Sequence, residues 1–302
     1  MTNAAPRWAW VDGMLLPAED RHISAFDRGL QLGDGVFETL RAAGGWVTEL
    51  AEHTARLRGS ADGLAIELPA DLATRLANGI NDLLAAEGLD GPDGDASVRI
   101  TVTRGVWMSR GLLPRADEDL TATIVIQAWP VTAAPGTTPA HGITAVSSRV
   151  RRDPGNPLAT LKTTSRADYV YAKLEARRAG ADDALFFTVD GHLSEATSAN
   201  VFLVRRAADG AMELATPSLA CAILAGTTRS WLLRWATGVG LRPYEGELTR
   251  DDLAAANEVF LTASVAGVVP VVRLDGQPVG DGQPGPWTLQ ARADREAFIT
   301  RA

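Results

Sequence analysis

Lysine is nearly absent from this chain: Lys162 and Lys173 are the two lysines among 29 basic side chains, the rest being arginine. Cysteine is reduced to Cys221, so no intrachain disulfide can form and a reducing compartment fits. The four histidines, His22, His53, His141 and His192, lie far apart with no cysteine beside them, which argues against a zinc site. No run approaches the roughly 18 uninterrupted apolar residues of a membrane span. The N-terminal stretch also lacks a basic segment leading into a clean apolar core. Positive charge is in deficit, with a formal net charge of −8 and no basic tract interleaved with aromatics. A phosphate-backbone surface, which needs clustered positive charge, is thereby disfavoured. The short run Arg149, Arg151 and Arg152 reads as local contacts. The expectation is a soluble, cytoplasmic protein with no nucleic-acid, membrane or metal partner.

What remains is an ordinary globular balance, 46% hydrophobic and 22% charged over 302 residues, enough for one large domain or two of common size. Asp12-Gly13 and Gly44-Gly45 stand between apolar runs and predict two hairpins. Helical spacing covers "LAEHTARLRGSADGLAI" and "ADLATRLANGINDLLAAEGL", where Leu72, Leu76, Ile80, Leu83 and Leu84 share a face. "ASVRITVTRG" and "TATIVIQAW" are strand-like. A stretch dense in proline, glycine and small residues between Pro130 and Gly142 predicts a linker. Beyond it come a strand, "GITAVSSRV", and a helix from Ser165 to Ala179. Ser165 is expected to cap that helix, with Asp168 in a capping-box position and Gly180 ending it. A further hairpin turns at Asp190-Gly191. "GTTRSWLLRWATGVG" passes from loop to helix, and "NEVFLTASVAGVVPV" reads as strand, turn, strand. Strands and helices intermix without regular βαβ spacing, so the fold class is α/β or α+β with two subdomains.

Chemistry-bearing residues are few. Lys162 stands between an extended segment and a helix, and a lysine amine, unlike a guanidinium, can lose its proton and attack a carbonyl. A surface lysine is the plain alternative, and Lys173, in mid-helix, reads as one. Glu195 follows a tight turn within a small polar stretch; it is either a buried, hydrogen-bonded carboxylate or an edge-strand charge. Gly226, Thr227 and Thr228 precede a helix, where backbone N–H groups and hydroxyls suit a phosphate or, more simply, an N-cap. Ser264 sits in a second hydroxyl-bearing turn, and Arg56 lies on a helix. Together they form a set of amine, carboxylate and phosphate donors without metal ligands, which is what pyridoxal 5′-phosphate requires.

The blocks "FDRGLQLGDGVFETLR", "LKTTSRADYVYAKLEA", "GHLSEATSANVFLV", "TPSLACAILAGTTR" and "NEVFLTASVAGVVPV", in this order, resemble the fold-type IV pyridoxal-phosphate enzymes, or class IV aminotransferases. That family includes branched-chain, D-amino-acid and (R)-selective amine transaminases and aminodeoxychorismate lyases. The resemblance implies a two-domain α/β (α+β) fold with the cofactor in the interdomain cleft. The divisions are then a smaller N-terminal domain over 1–130, a linker over 131–141 and a larger cofactor-binding domain over 142–302. Lys162 becomes the lysine that forms an imine with the cofactor and moves the substrate proton. Glu195 pairs with the pyridine nitrogen. Arg56, Thr227, Thr228 and Ser264 hold the phosphate, and Arg151 supports the lysine and the cofactor's phenolic oxygen. Assembly as a homodimer is implied in the same way.

Three positions depart from family patterns. Ala167 stands where some members have a tyrosine five residues after the lysine. "TRGVWMSRGLLP" offers Arg110 without the histidine that D-amino-acid aminotransferases pair with it. Phe37 replaces a common pocket tyrosine. Arg110 is the candidate clamp for a substrate carboxylate, with Phe37 and Trp107 as apolar wall. The leading expectation is a transaminase acting on an amino acid or primary amine, leaning to D-amino acids or (R)-amines, with a keto acid as acceptor. An aminodeoxychorismate-lyase-type elimination of pyruvate is the alternative, and a non-catalytic cofactor-binding protein a third.

Overall fold

The computed structural model describes residues 5–131 and 141–301. Of the expected linker, residues 132–140 lie outside the described residues. Contacts divide the chain into two compact units, Met1–Thr132 with Leu161–Ser165, and Ala133–Thr160 with Arg166–Ala302. The lysine segment is therefore returned to the first unit, although it lies in sequence within the second.

The first unit runs β1 (Trp8–Val11), β2 (Met14–Pro17), α1 (Arg28–Leu32), β3 (Gly35–Ala43), β4 (Trp46–Val47), α2 (Leu50–Gly63), α3 (Leu72–Glu87), β5 (Asp95–Thr103) and β6 (Thr123–Pro130). Both predicted hairpins form, and each puts its two turn residues at positive φ: Asp12 at 49° and Gly13 at 101°, Gly44 at 57° and Gly45 at 76°. That geometry matches the right-handed twist of the flanking strands. Among the described residues the strands form one sheet in the order β2-β1-β6-β5-β3-β4, antiparallel at every pairing. Val98, Ile100 and Val102 alternate into a core with Leu57 of α2 and with Leu72, Leu76, Ile80, Leu83 and Leu84 of α3, the face expected from the sequence. Each such buried aliphatic side chain stabilises the unit by roughly 2 kcal/mol relative to exposure.

The segment Leu161–Ser165 lies along the first residues of β3. Phe37 N–H donates to the Lys162 carbonyl at 3.0 Å, Thr164 N–H donates to the Gly35 carbonyl at 2.8 Å, and Thr163 bridges Val36. A side chain on Gly33 would bring its Cβ within 2.6 Å of Ser165 Oγ, and Gly33 is left-handed at φ 65°, so glycine is required there.

An ion cluster ties α2 to β3. Glu38 is fully buried; Arg56 donates to both its oxygens, Nε at 2.8 Å and Nη2 at 2.7 Å, and His53 Nδ1 lies 2.7 Å from Oε2. Burial works to raise the Glu38 pKa, but the hydrogen bonds from Arg56 and His53, with the charges of Arg56 and Lys162, outweigh it and bring it down to about 2.

The second unit runs β7 (Ile143–Arg152), α4 (Ala167–Arg178), β8 (Asp183–Thr188), β9 (Leu193–Ala196), β10 (Asn200–Arg206), β11 (Met212–Pro217), α5 (Thr227–Gly238), β12 (Arg242–Gly246), α6 (Arg250–Ala255), β13 (Glu258–Ala263), β14 (Gly267–Leu274), β15 (Gln277–Pro278) and α7 (Pro286–Thr300). Among the described residues its sheet follows β12-β11-β10-β13-β14-β7-β8-β9, with β15 beside β14. It is mixed: β11/β12, β14/β7 and β7/β8 are parallel. Val201 and Leu203 enter one core while Phe202 and Val204 enter another with Leu232 of α5 and Ala291 of α7. Burial of both faces explains why these strands are apolar throughout rather than alternating.

One local expectation changes. Ser165 does not cap α4: the helix begins at Ala167, and its N-cap is Arg166, which makes no side-chain capping bond. Ser165 is instead packed against Gly33. Lys162 lies in the loop between β7 and α4, between an extended segment and a helix as read from the sequence. Gly180 does take the left-handed conformation, at φ 70°. Among the described residues no helix is long and apolar enough to cross a membrane.

Substituting Glu38→Gln should destabilise the protein by about 3 kcal/mol, because Arg56 loses its buried anion. The Glu38 pKa falls from 4.5 to about 2 on folding, so its stabilisation is complete above the higher value and disappears as pH falls through the lower one. Urea unfolding of both proteins between about pH 2 and 6 should show the difference shrinking toward the acid end.

Candidate active site

Lys162 is fixed through its backbone. Its N–H donates to Ser60 Oγ of α2 at 3.1 Å, and its carbonyl accepts from Phe37. The ε-amine lies over the Phe37 ring, 4.5 Å from the centroid, and the Arg99 guanidinium lies over the same ring at 3.9 Å. The structure thus brings Phe37 to the lysine. It also adds Arg99, which alternation along β5 places on the face opposite the core residues Val98 and Ile100. Lys173 behaves as a surface lysine: half exposed, it donates to the Asp182 carbonyl at 2.6 Å and pairs with Asp183 at 3.3 Å.

The other two substrate candidates serve the loop after β5. Trp107 is buried, donates from its indole N–H to Glu118 at 3.1 Å, and lies 5.2 Å from the Arg28 guanidinium. Arg110 is exposed further along that loop.

Glu195 is a carboxylate buried within the second unit. Tyr169 O–H donates to Oε1 at 3.0 Å and Leu224 N–H donates to Oε2 at 3.0 Å. Arg152 Nη2 stands 3.7 Å from Oε1. Burial pushes the carboxyl pKa up, partly offset by Leu224 N–H, Arg152, Tyr169 and Arg166. The arginine beside Glu195 is Arg152. Arg151 is exposed, its guanidinium 5.9 Å from the Phe187 ring. The two neighbours take opposite sides of β7: Arg151 pairs with Phe187, whereas Arg152 continues the side on which Val146 and Val150 pack against the Tyr169 and Phe186 cluster.

Thr227, Thr228 and Ser264 also belong to the second unit. The helix α5 starts at Thr227, so both threonines lie in its first turn rather than before it, and Gly226 is an N-cap without a side-chain capping bond. A Cβ on Gly226 would collide with Asn200 Oδ1, which leaves room for glycine alone. Thr227 Oγ1 and Ser264 Oγ are 3.4 Å apart, and Thr228 Oγ1 accepts from the buried Arg295 at 3.2 Å. In the first unit, Arg56 is aligned by Glu38 as described.

These residues fit the chemistry of pyridoxal 5′-phosphate. A helix start with two converging hydroxyls and a tight glycine suits a phosphate monoester. A buried carboxylate with a donor on each oxygen keeps lone pairs for one more N–H donor, and a backbone-anchored amine suits carbonyl chemistry. Missed from the sequence were Tyr169, Arg152, Arg99, Glu38 and the Leu224 N–H. An aromatic residue two positions beyond the first residue of a helix carries no signal that it reaches a carboxylate 26 residues later.

The amino-transferase class IV family profile matches residues 35–274. A Methanocaldococcus jannaschii protein whose name places it with the branched-chain-amino-acid aminotransferases is 35% identical over 284 residues, covering 94% of this chain and 93% of its own. The D-alanine aminotransferase of Bacillus licheniformis is 30% identical over 280 residues, covering 92% of each. The structure of the T.th. branched-chain amino acid aminotransferase with pyridoxamine 5′-phosphate superposes with a TM-score of 0.87 at 28% identity, covering 98% of this chain and 95% of that one. With the family profile spanning most of its length, this chain belongs to the class IV aminotransferases.

Proposed function

We propose that this chain is a pyridoxal-phosphate-dependent transaminase that moves an amino group between an amino acid or primary amine and a keto acid. The observation that carries the reading is Glu195, a buried carboxylate held by two donors and flanked by Arg152. Pyridoxal phosphate, when bound, supplies an electron sink for the carbanion left by loss of a substrate proton. Glu195 would accept the N–H of a bound pyridine nitrogen, whose positive charge would favour the ionised carboxylate against the burial that opposes it. Lys162 would hold the cofactor through its ε-amine and would carry the substrate α-proton. Thr227, Thr228, Ser264 and the first turn of α5, with Arg56, take the phosphate. Phe37 supplies an apolar surface beside the amine, and Arg110 binds a substrate carboxylate.

Relatives named for branched-chain amino acids support that donor class. The D-alanine aminotransferase relative supports the D-amino-acid or (R)-amine preference read from the sequence. A homodimer working in the cytoplasm belongs to the same proposal, and the single cysteine, buried Cys221, supports the reducing compartment.

A visible absorption spectrum before and after adding L-leucine, D-alanine or (R)-1-phenylethylamine should show a yellow band bleached by one of them. A band that none bleaches would move the reading to pyruvate elimination. Lys162→Ala should lower turnover a thousand-fold or more, on the order of the loss of a general base, while Lys173→Ala leaves it unchanged. Glu195→Gln should keep bound cofactor yet lose roughly 100-fold in turnover. Wild-type turnover in the Lys162 variant would overturn the proposal.

A further inference from the structure

We infer that Tyr169 is a positioning residue for the reaction: its phenol orients the Glu195 carboxylate and keeps it ionised toward the pyridine nitrogen. The inference rests on Glu195 being that nitrogen's partner. Ala167, at the position where some family members carry a tyrosine, lies at the start of α4, and Tyr169 lies two residues further on.

The ring is clamped. The Arg166 guanidinium lies 3.1 Å from its centroid and Arg152 lies 4.9 Å from it, while Phe186 meets it edge-on at 5.2 Å. Arg166 is itself tied to the Thr197 carbonyl at 3.0 Å, and Arg152 to the Ala159 carbonyl at 2.8 Å. With the ring fixed, its hydroxyl reaches Oε1, and Leu224 N–H takes Oε2, so the plane of the carboxylate is set from both sides.

A donor to a charged acceptor binds about twice as strongly as one to a neutral acceptor, so Tyr169 favours the ionised form of Glu195. Burial and the Glu195 charge push the phenol pKa up, so the hydroxyl stays a donor across the working range. Arg152 and Arg166 act on Glu195 in the same direction. Acids on the neighbouring elements have other partners: Asp168 faces Arg152 at 3.3 Å, and Asp183 accepts from Thr197 Oγ1 at 2.6 Å.

Removing the phenol donor disfavours the ionised carboxylate and raises its pKa. An activity that needs ionised Glu195 then loses its acid limb at higher pH. Tyr169→Phe in the holoenzyme should therefore move the acid limb of kcat upward by about one pH unit, with KM and cofactor absorbance nearly unchanged. Carbon-13 NMR of the cofactor-free protein, with the Glu195 carboxyl assigned by its disappearance in Glu195→Gln, should show the same upward shift. Incorporating 3-fluorotyrosine at position 169 makes a stronger donor and should move both readouts downward; it also serves should the phenylalanine variant fail to fold. An unmoved Glu195 titration in these variants overturns the role of Tyr169, and leaves the pyridine assignment standing if Glu195→Gln has lost its turnover. Full turnover in Glu195→Gln overturns both.

Discussion

The main-chain pairing of Leu161–Ser165 with β3 is the constraint on which the placing of the Lys162 amine depends. Lysine is a flexible side chain, and a nucleophile on a free loop would sample many positions. Here the residue's N–H and carbonyl are both engaged, and its neighbours Thr163 and Thr164 are bonded along the same strand. The positional freedom left is that of the side chain alone, which lies along the Phe37 ring. Beneath it, Glu38 answers the positive charge of Arg56 and feels that of Lys162. The anchoring of the amine and the alignment of Arg56 therefore share one strand, β3.

The second unit solves a different problem, that of keeping a carboxylate in a nearly water-free place. A buried charge costs several kcal/mol unless it is bonded and balanced. Glu195 is balanced by two hydrogen bonds and by arginines supplied from opposite ends of a long loop, Arg152 at the end of β7 and Arg166 at the start of α4. Alternation along β7 is what delivers Arg152: it shares its side of the strand with Val146 and Val150, while Arg151 turns to the other. The phase of one strand thus sets the electrostatics of the carboxylate.

Much of this was legible in the sequence, and the reasons differ from residue to residue. Asp12-Gly13, Gly44-Gly45 and Asp190-Gly191 name their hairpins because turn chemistry is local, and α3 shows its buried face because helical periodicity is local too. Lys162 stood out through composition. Where the reading slipped, the deciding contact was distant. Ser165 has the chemistry of a cap, but its place is taken by packing on Gly33. Arg151 and Arg152 are indistinguishable until the pairing of β7 with β8 sets their phase. Arg56 shows no sign of its dependence on Glu38, 18 residues earlier on another element. The strands β11 and β12 pair in parallel with α5 between them, a topology that turn signals do not announce.

The return of Leu161–Ser165 to the first unit has a consequence for inheritance. Neither unit is a contiguous module. A fragment stopping at Thr132 would keep β3 and Phe37 while losing the five residues that pair with them. Its edge from Gly35 to Phe37 would then offer bare N–H and carbonyl groups to any passing strand. A fragment starting beyond that point would carry the lysine without the strand that anchors it. Recombination at the apparent boundary would thus part the amine from its support, so the two units are transmitted together or lose the pairing that holds Lys162.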